Sequence, residues 1–340
     1  MKDLKLGLQL GYWGATPPKG WVELAQRAEA LGFDSVWTAE AYGSDALMPL
    51  AYLAAQTSRI RLGTGICQVS ARTPTATAMA AMTLDHLSNG RMILGLGVSG
   101  PQVVEGWYGQ PFAKPLARTR EYVDIVRKVL AREVPVENRG EHYPLPYRGP
   151  GAWGLGKPLK SIVHPLRAKL PIFLGAEGPK NVALAAEIAD GWLPLYFSPF
   201  RQHVYRESLA NAKPGFEIAQ GVTVRVTDDV ESGLAPIKEM LALYVGGMGA
   251  ERRNFHKELV ARMGFEADAE RIQQLYLSGR RAEALRAVPS ALADEISLVG
   301  SIARIRERIG AWRETPVSQL LVSARSAREL ETIAEVVLGG

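Results

Sequence analysis

Apolar and polar residues alternate at every second position in Leu4-Lys5-Leu6-Gly7-Leu8-Gln9-Leu10, and apolar residues then recur at helical spacing through Trp21, Leu24, Ala25, Ala28 and Leu31. The first pattern predicts a strand and the second a helix, with Gly32 suited to close that helix. The switch repeats along the chain. Strands are predicted at 34–38, 60–66 and 91–96, and helices at 46–57, 75–87 and 118–130. Farther on come strands at 171–174, 191–196, 216–226 and 317–322, with helices reaching Ala189 and at 199–212, 230–245, 302–312 and 327–337. Repeated βα units predict parallel strands joined by right-handed crossovers. Eight of them match an α/β fold of the (β/α)8 TIM barrel type, here one domain over 1–340. Two stretches interrupt the rhythm. Residues 132–169 are rich in Gly and Pro and read as an insertion at the C-terminal mouth, and about 250–295 reads as extra helices.

With 47% hydrophobic and 22% charged residues the chain has the composition of an ordinary globular protein. No apolar run approaches a bilayer span, and Met1-Lys2-Asp3-Leu4-Lys5 leads straight into a strand pattern, so a cytoplasmic protein without a membrane partner is expected. The single cysteine, Cys67, agrees with a reducing compartment. The net charge of +5 would suit an acidic ligand, but the cations are scattered, and no nucleic-acid partner is expected. The five histidines show no metal-ligand spacing, so no metal is expected.

Candidate chemistry concentrates where predicted strands end. Leu174-Gly175-Ala176-Glu177-Gly178-Pro179-Lys180-Asn181 reads as strand, tight turn and helix N-terminus, with Pro179 in the first turn. Unpaired first-turn amides make such a junction a natural phosphate site, although a plain βα turn would have the same glycines. Gly95-Leu96-Gly97-Val98-Ser99-Gly100 fits a dinucleotide fingerprint in spacing, but Pro101 to Gly109 reads as a loop and Glu121 falls inside a helix, so that reading is rejected. The glycines are taken instead to let a flat ligand approach the backbone. Glu40 stands at the end of the second strand, on the face where barrels carry their chemistry. Ser99 lacks the setting of a nucleophile elbow.

Taken together, Gly32 to Glu40, Leu62 to Ile66, Thr73-Pro74, Leu84 to Arg91, Leu94 to Gly97, Gly175 to Lys180, Ala186 to Gly191 and Tyr244 to Gly249 resemble the bacterial-luciferase-like superfamily. The likeness is to its deazaflavin branch, which includes methylenetetrahydromethanopterin reductase, and it covers nearly the whole chain. The resemblance implies a barrel, often dimeric, holding coenzyme F420 or a flavin at its mouth. It implies a non-prolyl cis peptide at Gly65-Ile66 beside Cys67, a strand-four loop of Gly97, Val98 and Ser99 next to the cofactor, and a phosphate turn of Gly175, Ala176, Glu177, Gly178 and Pro179. Many members place a histidine after the acid that ends strand two, whereas here the pair is Glu40-Ala41. Proton transfer would then fall to Glu40, Tyr42 or water.

The resulting expectation is a homodimeric F420-dependent oxidoreductase that transfers a hydride to or from a small organic molecule. An FMN-dependent monooxygenase and a non-catalytic deazaflavin-binding protein are the alternatives. Arg148, Lys157, Lys160, His164 and Arg167 of the insertion are expected either to receive an anionic cofactor tail or acidic substrate, or to form a solvated face.

Overall fold

The structure, a computed structural model, describes residues 3–249 and 254–339. Met1 and Lys2 of the N-terminal lead and residues 250–253 of the expected extra helices lie outside the described residues.

In chain order the first elements are β1 (Lys5–Gly11), α1 (Trp21–Ala30), β2 (Ser35–Thr38), α2 (Leu47–Gln56), β3 (Arg61–Thr64), β4 (Cys67–Gln68), α3 (Pro74–Leu87) and β5 (Met92–Gly97). Next come α4 (Pro101–Gly106), α5 (Pro115–Ala131), β6 (Ile172–Gly175), α6 (Pro179–Ile188), β7 (Gly191–Leu193), β8 (Glu217–Gly221), β9 (Thr223–Val226) and α7 (Val230–Gly247). The chain closes with α8 (Phe255–Val260), α9 (Glu266–Leu277), α10 (Arg281–Ala287), α11 (Ser290–Glu295), β10 (Ser297–Gly300), α12 (Ile302–Arg313), β11 (Gln319–Val322) and α13 (Ala327–Leu338). The sheet runs β3-β2-β1-β11-β8-β7-β6-β5-β4, and an additional β3–β5 pairing closes it into the expected (β/α)8 barrel.

The chain divides into two compact units. The first to consider comprises Leu10–Gly175 and Glu187–Gly191. Every residue of β2 and β5 is buried, as strands covered on both faces should be. Trp37 packs on Phe173 with ring centroids 5.8 Å apart, and a Cβ on Gly63 would stand 2.4 Å from the Trp37 ring. Only glycine fits there. Arg91 ties the strand starts together by donating to the carbonyls of Ala54, Ile60 and Ser88, while Asp85 accepts from the Met92 amide and from Arg167. The 84–91 motif is therefore explained by packing at the N-terminal ends of the strands.

The other unit comprises Met1–Gln9, Ala176–Ala186 and Trp192–Gly340. Trp192, Phe197, Tyr205 and Trp312 form an aromatic cluster in it. Gly246 and Gly247 of α7 lie against Tyr276 of α9, where added Cβ atoms would come within 2.5 and 2.4 Å of its side chain.

Several expectations are corrected. The helix at 199–212 is reduced to a 3-10 turn, Gln202–Tyr205. Here Arg201 binds Glu295 and the Tyr205 hydroxyl donates to the Tyr196 carbonyl, so tertiary bonds replace helical ones. The strand at 216–226 is two strands: β8 stays in the barrel, while β9 leaves it to pair in parallel with β10. Pro101 to Gly106 is a short helix and not a loop, with Pro101 at its first position.

The insertion is also more divided than its composition suggests. Its 138–145 portion packs on α5, where Glu121 accepts from the amides of His142 and Tyr143, at 3.0 and 3.1 Å. Its end returns to the N-terminal side of the strands, where Arg167 donates to Asp85 and to the carbonyl of Met92, the first residue of β5. Lys160 donates to the Glu133 carbonyl, and the His164 carbonyl lies 2.8 Å from His86 Nε2. A single anion-receiving set that includes Arg167 is thereby excluded.

Candidate functional site

The first cluster belongs to the Leu10–Gly175 unit. At its centre β3 ends at Thr64, the Gly65-Ile66 peptide is cis as the resemblance implied, and the chain resumes as β4. The Gly65 amide donates to the Thr38 carbonyl and the Glu40 amide to the Ile66 carbonyl, so the bulge is locked to the end of β2. The Ile66 side chain fills the space beside two glycines. A Cβ on Gly97 would stand 2.8 Å from Ile66 Cγ1, and one on Gly175 would stand 3.2 Å from Ile66 Cγ2. Gly97 is thus required by protein packing, which differs from the ligand approach expected from the sequence. Cys67 is buried, and burial, reinforced by the Glu40 carboxylate, pushes its thiol far above its usual range. It is no nucleophile.

Glu40 is also buried, and its carboxylate has definite partners: the Gln68 amide donates to it at 3.0 Å and Arg72 Nη1 at 2.9 Å. Arg72 also binds Asp45, which in turn accepts from the first amides of α2, those of Leu47 and Met48, at 2.7 Å each. Burial opposes the charge on Arg72, but Glu40 and Asp45 outweigh it and hold the guanidinium protonated. Around the same loop, Gln68 Nε2 donates to the carbonyls of Glu40 and Ala41, and the Tyr108 hydroxyl donates to that of Ala41 at 3.0 Å. Gln68 Oε1 is left buried with no partner. Tyr42, from the same loop, is 65% exposed. Ser99 follows β5 and Val98 with φ +58, a left-handed conformation uncommon for a non-glycine residue, and Gly100 then opens α4.

The second cluster belongs to the Trp192–Gly340 unit and starts at the turn into α6. The amides of Asn181 and Val182 donate to the Gly178 carbonyl, and Pro179 begins the helix, so the chain has the strand, turn and helix N-terminus read from its sequence. The Ala176 carbonyl accepts from the Trp192 indole at 2.8 Å. Glu177 turns its carboxylate to His256 Nδ1 at 2.7 Å, and Arg262 donates to the Glu177 carbonyl at 3.2 Å. Tyr196 and Tyr244 meet the His256 ring edge-on. The Tyr196 hydroxyl is buried with no hydrogen-bond partner, and burial, helped by Tyr244 and Glu177, raises it well above its usual range. It remains a proton donor.

Both clusters include residues that local spacing could not find. Glu177 and His256 are 79 positions apart, and only the fold brings them together. Arg72 lies 32 positions from Glu40, and only a shared barrel end brings them together. Among the described residues no group of three or more His, Cys, Asp or Glu side chains is arranged to hold a metal ion.

A parallel barrel with a backbone bulge after β3 and a helix beginning directly after the β6 turn defines the class of protein by its fold. The family described as luciferase-like monooxygenase matches residues 7–319, and the chain belongs to it. A Mycobacterium tuberculosis protein provisionally named a coenzyme F420-dependent oxidoreductase is 56% identical over 98% of this chain and 99% of its own length. Among solved structures, the coenzyme F420-dependent tetrahydromethanopterin reductase of Methanopyrus kandleri aligns with a TM-score of 0.78 at 22% identity, over 99% of both chains. An F420-dependent secondary alcohol dehydrogenase aligns with a TM-score of 0.75 at 17% identity, again over 99% of both. At these identities the structures support the fold. The chain is an oxidoreductase of the luciferase-like family.

Proposed function

We propose that this protein is a coenzyme F420-dependent oxidoreductase that moves a hydride between deazaflavin C5 and a small organic substrate of the carbonyl or unsaturated type. The supporting observation is the near full-length likeness to a relative named for that cofactor. The residues present fit such a group. The α6 turn offers the positive end of a ten-residue helix to a phosphate, with Arg262 fixed on the backbone beside it. The one acid at the turn, Glu177, has its carboxylate 2.7 Å from His256 Nδ1.

When bound, the deazaflavin supplies two-electron hydride chemistry that reacts slowly with oxygen. The chain supplies position and charge. Gly65, Ile66 and Cys67 form a rigid backing, with Gly97, Val98 and Ser99 as the adjoining loop, and Gly175 to Pro179 hold the phosphate end. Glu40 already accepts from two donors, so we assign it to holding Arg72 and the Gln68 backbone and not to releasing a proton. Tyr42, exposed in the same loop, is the proton donor in this account. The proposal takes the whole chain as one enzyme domain acting as a cytoplasmic homodimer.

The experiment is a screen of ketones, aldehydes and enones against the protein loaded with reduced F420, following the return of the oxidised deazaflavin absorbance with an oxygen electrode in the cell. Substrate-dependent reoxidation with little oxygen uptake is expected. Reoxidation that consumes oxygen in step with turnover would instead identify a monooxygenase.

A further inference from the structure

The surface of the 132–169 insertion carries a pattern that neither the barrel nor the proposed reaction uses. From His142 to Ala176 there is no aspartate or glutamate, yet Arg148, Lys157, Lys160, Arg167 and Lys169 fall inside that span. Two of these cations are engaged by carboxylates, Arg167 by Asp85 and Lys169 by Asp190. Arg148, Lys157 and Lys160 are exposed, and the bond from Lys160 to the Glu133 carbonyl leaves its charge unneutralised. Among them stand Trp153, 90% exposed, Leu155, 80%, Leu159, 69%, and Ile162, 92%.

A single exposed leucine needs no explanation, but a nearly bare tryptophan with three exposed aliphatic neighbours in one short segment does. Folding gains nothing from apolar area that stays in water, so the contact these side chains serve lies outside the fold. We propose that this segment docks the protein on an anionic lipid surface, with Trp153, Leu155 and Ile162 entering the interfacial layer and Arg148, Lys157 and Lys160 meeting the headgroups. Tryptophan favours the headgroup level of a bilayer, and cations interleaved with apolar side chains suit a negatively charged leaflet. The irregular backbone, with glycine at 149, 151, 154 and 156, keeps the contact shallow, because unpaired peptide groups do not enter hydrocarbon.

A second copy of the chain is a poorer occupant. A two-fold contact centred on this segment would bring two copies of the same cationic stretch together, with no acid between His142 and Ala176 in either. Among the described residues no helix is long and apolar enough to cross a membrane. Docking requires none, so the sequence-based expectation of no membrane partner is revised only for surface contact.

The test uses the full chain with vesicles of phosphatidylcholine alone and of an equal mixture of phosphatidylcholine and phosphatidylglycerol, read by co-sedimentation and by tryptophan emission. Binding to the mixed vesicles, weakening with salt and accompanied by a blue shift that Trp153→Ala removes, is expected. Each cation near such a surface contributes roughly fivefold to partitioning, so Arg148→Gln/Lys157→Gln/Lys160→Gln should lose on the order of 100-fold. Light scattering and thermal melting of each variant show whether fold and mass are kept. Failure of the folded protein to bind mixed vesicles overturns the proposal. So does binding that survives both variants, or a fall in particle mass on Trp153→Ala, which would identify a second copy as the occupant.

Discussion

Around the end of β2 nearly every polar group finds its partner inside the protein, whereas beside the α6 turn a buried tyrosine hydroxyl is left without one. Glu40, Arg72 and Asp45 run as a chain of charges from the β4 backbone to the first amides of α2, and the Ala41 carbonyl accepts from two side chains. Gln68 Oε1 is the exception. At the other cluster the Tyr196 hydroxyl has no partner, and nothing stands within 4 Å of where a Gly178 Cβ would be. A saturated network fixes a shape, while an unsaturated one leaves bonds for a ligand to make. Mutations in the first cluster should therefore be read mainly in stability, and those in the second mainly in binding.

The largest effect is expected from Arg72→Met, which leaves the Glu40 and Asp45 carboxylates without their shared cation. A loss of about 3 kcal/mol is expected from breaking a largely buried pair, measured by urea denaturation. A loss below about 0.5 kcal/mol would show that the network does not fix the shape. Next is Gly97→Ala, whose Cβ would meet Ile66 at 2.8 Å. Overpacking of this kind costs about 1–3 kcal/mol, and Ile66→Ala in the same chain should relieve part of it as a measurable coupling energy.

Asp190 lies outside both clusters and offers a smaller, pH-dependent effect. Burial alone would raise its pKa, but Arg127, Lys169 and the Ile172 amide outweigh burial and hold the carboxyl below its ordinary value of 3.8. Because the folded value lies below the unfolded one, the stabilisation is present above about pH 4 and is lost as pH falls through the folded value. Asp190→Asn should flatten this acid limb in thermal melts taken at successive pH values, and an unchanged limb would remove Asp190 as its source. The smallest stability change belongs to Gly178→Ala, within about 0.5 kcal/mol. It sharpens the comparison most, since the account expects this near-silent change to weaken phosphate-end binding while Gly97→Ala acts through packing.

The βα rhythm was legible because each unit carries its own period, from the alternation of 4–10 to the helical spacing of 21–31, and α6 with its preceding turn was legible from Gly178 and Pro179 alone. What the sequence hid was decided at a distance. The 199–212 stretch has helical spacing, yet Glu295 and Tyr196 claim its side chains. The 216–226 run alternates throughout, and only pairing with β10 shows where the barrel strand ends. Gly97 stands out by its glycine spacing and Gly65 by the family resemblance, but the packing reason for Gly97 is the Ile66 side chain, 31 positions away in sequence. His256, Arg262 and Tyr196 gave no local signal, since their neighbours come from elements far apart in the sequence.

The central claim is that the chain binds the deazaflavin and not FMN, and equilibrium titration of the purified protein with each cofactor, by fluorescence at low and high salt, tests it most directly. Tight binding of coenzyme F420 that weakens with salt and is diminished by Gly178→Ala, together with much weaker binding of FMN, is the result expected. Tight binding of FMN with none of F420, accompanied by NAD(P)H-driven oxygen uptake, would contradict the account and make the protein a flavin monooxygenase on the same barrel.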